Sequence, residues 1–148
     1  MALGELIGEE RGKITGQRVL DVQILKMETS FTMEGNYRGT TCTDVGTYTA
    51  ELREGGVLQG EGQGIITTKD GQGMATWTGP GIGRITGPGK VSFRGSLFFR
   101  IPSTSEGGKL SYLNNMMGVF EYEVDELGNC SVKTWEWKQV NKNRRRLN

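Results

Sequence analysis

The chain has 148 residues, of which 24 are glycine, 2 are cysteine and none is histidine. This length suits one domain of ordinary size, and the glycine content is more than twice the usual value of about 7%. The absence of histidine excludes a Ser-His-Asp triad, a Cys-His pair, histidine-ligated zinc and a histidine-bound haem.

Charge is unevenly distributed along the sequence. The whole chain has a formal net charge of +1, but its last eleven residues carry five basic side chains and no acidic one. A basic tail over residues 139–148 can bind RNA or an acidic membrane surface, or it can be a solvated terminus. The aromatic residues do not follow the pattern of an RNA-recognition motif, so we expect no specific nucleic-acid partner.

The sequence shows no targeting, metal-binding or phosphate-binding motif. No apolar stretch reaches the roughly 20 residues of a membrane-spanning helix, and acidic residues near the N-terminus are untypical of a signal peptide. Cys42 and Cys130 are too few for a disulfide scaffold, and their spacing matches no metal site. The glycine motifs lack the following helix that a dinucleotide-binding loop needs. We therefore expect a cytoplasmic protein with free thiols, no metal and no cofactor.

Alternation of apolar and polar residues with a period of two predicts an all-β protein, because no helical period persists for three turns. Turn signals such as Lys69-Asp70-Gly71 separate the alternating segments. The eight predicted strands are Lys13–Leu25, Lys26–Tyr37, Asp44–Arg53, Val57–Thr68, Met74–Ile85, Lys90–Ile101, Leu110–Asp125 and Cys130–Val140.

Eight antiparallel strands joined by short turns, with glycines inside the strands, favour a closed barrel over the alternative, a β-sandwich. We expect one barrel domain over residues 1–138. In the fourth strand, Gly60, Gly62 and Gly64 form a column on one face. Such a column predicts that another backbone or a bulky ring packs directly on the strand.

The glycine spacing of residues 56–99 resembles that of the allene oxide cyclase-like barrel superfamily. The segments that carry the resemblance are Gly-Val-Leu-Gln-Gly-Glu-Gly-Gln-Gly, Lys-Asp-Gly-Gln-Gly, Gly-Ile-Gly-Arg-Ile-Thr-Gly-Pro-Gly-Lys-Val and Arg-Gly-Ser-Leu. The resemblance implies a calycin-like barrel, often oligomeric, with a small hydrophobic ligand or substrate in its mouth. Cyclases of that superfamily use a glutamate and a bound water in an apolar cavity, but no residue role is carried over by position.

Glu61 is the predicted catalytic carboxylate. It shares a face of the fourth strand with Gln59 and Gln63, opposite the glycine column. If this polar face lines the barrel cavity, the three side chains bind a ligand and burial suits Glu61 to act as a general acid or base. The alternative is that the polar face meets water while the glycine face packs on aromatic rings, as is common in antiparallel sheets.

Further ligand-binding candidates carry a positive charge, an amide or a hydroxyl. Arg94 and Arg100 share a face of the sixth strand, where they either bind a ligand carboxylate and pair with Glu61 or lie in solvent. Asn114 and Tyr112 share a face of the predicted seventh strand. Asparagine is depleted in strands, which marks this position as a candidate for function.

Trp77 and Trp135 are the predicted aromatic ligand contacts, because small-molecule sites are commonly lined by aromatic rings. The alternative for both indoles is packing in the core.

These residues together predict a barrel that binds a hydrophobic small molecule bearing a carboxylate or carbonyl group. If the protein is an enzyme, we expect cofactor-free isomerisation or cyclisation by acid–base chemistry. The alternative is a non-catalytic carrier or an oligomeric interaction protein with a filled barrel, and the cavity volume distinguishes the two. The family tendency and the six methionines favour a homo-oligomer.

Overall fold

Eight antiparallel strands form a closed barrel in which every strand pairs with its neighbours in sequence and the last pairs with the first. The structure is a computed structural model that describes residues 3–139. Its strands are β1 (Leu3–Asp21), β2 (Lys26–Tyr37), β3 (Thr40–Arg53), β4 (Val57–Thr68), β5 (Met74–Gly87), β6 (Lys90–Arg100), β7 (Met117–Val124) and β8 (Asn129–Trp137). The all-β class and the closed barrel are confirmed, and the β-sandwich alternative is wrong.

Residues 140–148, which form all but the first residue of the predicted basic tail, lie outside the described residues. Within residues 3–139, no helix is long and apolar enough to cross a membrane.

The largest differences from the predicted strand bounds are at the starts of two strands. The first strand begins at Leu3 rather than Lys13, because the residues before Lys13 pair with β8 and close the barrel. The seventh begins at Met117 rather than Leu110. Between β6 and β7 the chain instead makes two 3-10 turns, Ser103–Ser105 and Ser111–Leu113.

The segment between β6 and β7 covers one end of the barrel. Leu110 and Leu113 are 1% and 0% exposed, so this segment contributes to the core. Asn115 has a positive φ of 62°, and the side-chain oxygen of Asn114 accepts a hydrogen bond from the backbone N–H of Ile101 at 3.0 Å. The prediction that Asn114 lies within a strand is therefore wrong, and its poor strand propensity reflects a turn.

The glycine face of β4 points into the barrel, as the packing interpretation predicted. A Cβ atom at Gly64 would overlap the indole of Trp77, and one at Gly60 would touch the ring of Phe93. The glycines thus make room for rings that would otherwise not fit within eight strands. This packing places the aromatic core directly against the backbone of β4.

The end of the barrel opposite the covered end is more accessible. Side chains that face inward there, among them Ile14, Leu58 and Val91, are only partly buried. On this side β1 extends past the barrel wall, because it pairs with β8 only as far as Lys13 but with β2 as far as Asp21.

Candidate functional site

Two acidic side chains lie inside the barrel. Glu10 of β1 is 1% exposed and Asp44 of β3 is 3% exposed. The strand between them is β2, where Gly35 is the register partner of Glu10. A side chain at Gly35 would overlap the backbone of β1, so only glycine allows the two strands to approach this closely.

Within residues 3–139, neither acid has a basic partner. The buried residues of the described chain include no lysine and no arginine, and the whole chain has no histidine. The indole N–H of Trp77 donates a hydrogen bond to Asp44 Oδ1 at 2.8 Å. Neither carboxyl oxygen of Glu10 has a hydrogen-bond partner of normal geometry, although Asp44 and the hydroxyl of Tyr37 lie near enough to affect its ionisation.

The surroundings of the acid pair, Glu10 and Asp44, favour its protonated forms. Burial and then the negative charge of Asp44 raise the pKa of Glu10 well above its usual value of 4.5. Burial also raises the pKa of Asp44, while contacts with Glu10 and Trp77 lower it. Two carboxyl groups in one apolar site do not both ionise readily, so the site favours states in which at least one of them keeps its proton. Burial and the two acids raise the pKa of Tyr37, which stays a neutral hydroxyl.

A cavity of about 70 Å³ lies beside Asp44 in the centre of the barrel. Its wall is largely aromatic, and the ring of Phe31 stacks on Trp77 with centroids 6.2 Å apart and planes 7° apart. A water molecule needs about 10–15 Å³ of such volume, so the cavity can hold a few waters or a ligand of a few non-hydrogen atoms. The hydroxyl of Thr134 also lies in this wall, buried and without a hydrogen-bond partner.

Two tyrosines form a further polar contact in the cavity wall. The hydroxyl of Tyr122 donates to that of Tyr48 at 3.2 Å, and the two rings meet edge to face with centroids 5.5 Å apart. Burial raises the pKa of both hydroxyls, so both are neutral donors and acceptors at neutral pH. The cavity therefore offers hydroxyls, one acid and several aromatic rings to an occupant.

The two cysteines do not supply a nucleophile. Cys42 and Cys130 are free and buried. Burial raises the pKa of each thiol to about 11, so neither is a thiolate at neutral pH.

The structure places the predicted catalytic carboxylate on the outside of the barrel. Glu61 is among the residues that border the cavity, together with Gly60 and Gly62, but it is an exposed residue. Gln63 is also exposed, and Gln59 is half-buried on the same outer face. The interpretation that this polar face lines the cavity is wrong, because the inner face of β4 is the glycine face.

The two predicted arginines also lie on the outer surface. Arg94 and Arg100 are exposed, and Arg94 forms an ion pair with Glu121 of the neighbouring strand rather than with Glu61. The solvated alternative for this face of β6 is therefore the correct one.

Of the two predicted tryptophans, only Trp77 lies inside. Its indole is 8% exposed and lines the cavity, and its contact with a ligand stays a prediction. Trp135 lies on the outer face of β8, where its register partners are Leu6 and Val119, because the inner face of that strand carries Thr134. The prediction that Trp135 contacts an internal ligand is wrong.

Tyr112 belongs to the segment that covers the barrel end. The guanidinium of Arg38 lies 4.4 Å from the centroid of the Tyr112 ring, and Arg38 also pairs with Glu5 at 2.7 Å. Burial raises the pKa of Tyr112 to about 12. Neither Tyr112 nor Asn114 is among the residues that line the cavity, so the structure gives them a role in fixing the covering segment.

Sequence reasoning missed both members of the acid pair. Asp44 shares its face of β3 with Gly46 and Tyr48. The alternation of residues in this strand therefore indicated an acid at the end of an apolar face. Glu10 precedes the predicted start of the first strand, and its inward direction depends on the pairing of β1 with β8.

The structure defines a closed eight-stranded meander barrel with an uncompensated acid pair beside a small aromatic cavity. Two solved structures are similar to this chain in fold. One, a conserved protein of unknown function from Rhodopseudomonas palustris, has 12% identity and a TM-score of 0.70, covering 92% of this chain and 98% of that one. The other, a protein of unknown function from Clostridium acetobutylicum, has 13% identity and a TM-score of 0.73, covering 90% and 98%.

The other comparisons add no family. No family model matches the sequence, and no curated protein matches it. Identities this low show the shared fold alone. The chain therefore has the closed barrel fold of two proteins of unknown function, and a specific relation to calycins or allene oxide cyclase-like proteins is not confirmed.

Proposed function

We propose that this protein binds a compact small molecule inside its barrel, in the aromatic cavity beside Asp44. The observation that carries the proposal is the juxtaposition of that cavity with an acid pair that has no basic partner. Burying a charge without a partner is costly, and a stable core is more readily built from apolar side chains. An occupant that bonds to the acid pair offsets this cost.

Unpartnered polar atoms support the same proposal. The buried hydroxyl oxygen of Thr134 faces the cavity without a hydrogen bond, and both oxygens of Glu10 lack one as well. Buried polar groups are usually satisfied by protein or by bound molecules. Water or a small ligand in the cavity supplies the missing partner for Thr134.

The acid pair also suits cofactor-free proton transfer, which is the catalytic form of this proposal. Asp44 lines the cavity and can accept a proton when it is ionised, while the raised pKa of Glu10 lets the neighbouring carboxyl hold a proton. Isomerisation needs one proton removed and one returned, which a carboxyl pair in an apolar cavity can provide. The glycine-spacing resemblance to allene oxide cyclase-like barrels agrees with this class of reaction, with Asp44 rather than Glu61 as the base.

A filled, non-catalytic barrel is the second candidate, and the cavity size favours it. Pockets for drug-sized ligands usually measure about 300–1,000 Å³. The cavity here is about 70 Å³, because glycines let Trp77, Phe93 and other core side chains pack inside the barrel. A long hydrophobic ligand does not fit in this volume. The binding proposal therefore requires that a molecule of a few non-hydrogen atoms enters the cavity, whereas the filled-barrel candidate requires that none does.

Native mass spectrometry of the gently purified protein tests the binding proposal. We expect a small molecule that is lost on denaturation, and we expect Asp44→Asn to purify without it. Glu61→Gln is the matched control, because that carboxylate lies on the outer face and its removal leaves the adduct in place. If the wild-type mass is that of the bare chain, and small probe molecules at millimolar concentration do not perturb Trp77, the filled barrel is correct.

We also propose that the protein self-associates through the hairpin that joins β1 and β2. In the described chain, Ile14 still donates a backbone hydrogen bond to the carbonyl of Gly128, but beyond Ile14 β1 has β2 as its only paired strand, which leaves one backbone edge free. Exposed apolar side chains concentrate at this hairpin, with Val22 76% exposed. A free strand edge with apolar side chains favours pairing with the same edge of a second copy.

Light scattering with size-exclusion chromatography tests self-association. We expect a mass above the 16.3 kDa of one chain, reduced to one chain by Leu20→Lys, which places a charge on the hairpin. Ile82→Lys is the matched control, because Ile82 is also an exposed apolar residue, 55% exposed against 40% for Leu20, but lies on β5 away from the hairpin. A wild-type monomer at the same concentration contradicts the proposal.

A further inference from the structure

We infer that the molecule bound in the barrel is a small organic cation, of the alkylammonium class. This inference rests on the proposed function and names its ligand. The evidence is the combination of an acid pair without a counter-ion, an aromatic cavity wall and unpartnered oxygens, all within the barrel.

The barrel interior contains acidic side chains. Glu10 and Asp44 are the only acidic or basic side chains among the buried residues of the described chain. No buried lysine or arginine of the described chain is available to balance the pair when it ionises. A ligand with one positive charge balances an ionised carboxylate here, whereas a carboxylate ligand adds a further acidic group to the same apolar site.

The cavity wall is rich in aromatic rings. Phe31, Tyr48, Trp77 and Tyr122 all line the cavity, and the rings of Phe31 and Tyr122 have centroids 5.9 Å apart. The face of an aromatic ring attracts a cation within about 6 Å of its centroid, most strongly when water is excluded. The wall therefore favours a cation over a neutral molecule of the same shape.

The unpartnered atoms match the donors of an ammonium group. An ammonium group carries N–H donors and no acceptor. Asp44 uses one oxygen for the indole of Trp77, and the hydroxyl oxygen of Thr134 in the same cavity wall has no partner. Carboxylate and hydroxyl oxygens are acceptors for such donors, so the cavity can bind the head group of an alkylammonium ion.

This inference replaces the expectation of a carboxylate-bearing ligand. That expectation depended on Arg94 and Arg100, whose side chains are exposed on the outer surface. With both arginines outside, nothing basic faces the cavity among the described buried residues. An occupant of the interior therefore meets acidic and aromatic side chains.

Three probes that each have four non-hydrogen atoms test the charge preference. They are isopropylammonium, 2-propanol and acetate, titrated into ¹⁵N-labelled protein while the three tryptophan indole signals are followed by NMR. Trp77 donates to Asp44 and reports on the cavity, and Trp77→Phe identifies its signal. Trp135 and Trp137 lie on the outer face of β8 and serve as internal controls.

We expect isopropylammonium to shift the Trp77 signal and to bind at least about tenfold more tightly than 2-propanol, with no binding of acetate. Asp44→Asn should weaken isopropylammonium at least about tenfold, whereas Glu61→Gln should leave its affinity unchanged. Circular dichroism verifies that both variants are folded, and if Asp44→Asn does not fold, the comparison of three probes on the wild-type protein decides alone.

The other outcomes separate the two proposals. If 2-propanol or acetate binds at the Trp77 site as tightly as isopropylammonium, the cation inference is overturned while binding in the barrel stands. If no probe shifts Trp77 and native mass spectrometry shows the bare chain, both proposals fail. If all three indole signals move together, the probes act on the whole surface, and the cation inference is again overturned.

Discussion

Replacing Glu10 with glutamine is expected to make the protein less sensitive to rising pH. The substitution keeps the size of the side chain and removes its ionisable proton. In the folded protein, burial and the charge of Asp44 raise the pKa of Glu10 well above 4.5, whereas the unfolded chain ionises near that value. The folded state therefore holds more protons than the unfolded chain above pH 4.5, and its stability is lost as the pH rises toward the folded pKa.

The size of the effect follows from the number of protons. One proton bound only in the folded state changes the free energy of unfolding by about 1.4 kcal/mol per pH unit. Between pH 5 and pH 7, the wild-type protein therefore loses at most about 3 kcal/mol through Glu10. Glu10→Gln lacks this loss, so its stability relative to the wild type should improve by up to that amount over the same interval.

Urea unfolding followed by circular dichroism, at half-unit steps from pH 4.5 to pH 8, measures this difference. Subtracting the wild-type curve cancels the titration of surface groups. Glu61→Gln is the control, because the removal of an exposed carboxylate should change stability by less than about 0.5 kcal/mol at every pH. A difference between Glu10→Gln and the wild type that is constant across this range would refute the reasoning, since the carboxyl would then ionise as freely in the barrel as in the unfolded chain.

Three further substitutions or reagents test the interior. Gly64→Ala should destabilise the protein by about 1–3 kcal/mol in urea, because its Cβ would overlap an indole, whereas Gly16→Ala, with open space around it, should have a much smaller effect. Trp77→Phe should cost about 1–3 kcal/mol by leaving a buried carboxylate without its donor, and a loss below 0.5 kcal/mol would contradict that hydrogen bond. Cys42 and Cys130 should both resist a thiol reagent at pH 7.5 and both react after unfolding, and fast reaction of either in the folded protein would contradict their burial.

Strand periodicity predicted the fold because each strand has one face in the core and one in solvent. The bounds of β2 and β4 were predicted as observed. The glycine column on one face of β4 also predicted that a ring packs on Gly64. The start of β1 was not predictable in this way, since residues 3–13 are held as a strand by their pairing with β8, at the far end of the sequence.

The candidate site was predicted less well, because the prediction placed the functional side chains on the polar face of β4. Gln59, Glu61 and Gln63 form a conspicuous polar row, but a row of polar residues is what solvent favours. The informative signal was a single acid on an apolar face, and Asp44 beside Gly46 and Tyr48 had that pattern. Its partner Glu10 becomes recognisable only when the barrel closes and brings β1 beside β2 and β8.

The acid pair and the glycine-rich interior oppose each other in their effect on stability. Glycines let Trp77 and other rings fill the barrel, which buries apolar surface and leaves only about 70 Å³ open. The same interior contains Glu10 and Asp44, whose burial raises the pKa of both and makes the folded state less stable as the pH rises. Buried ionic groups can often be exchanged for apolar side chains with no loss of stability, so packing alone does not explain two acids beside the remaining space. A role for the pair in holding a bound molecule does explain it, and that role is what the Asp44→Asn and Glu61→Gln comparison measures.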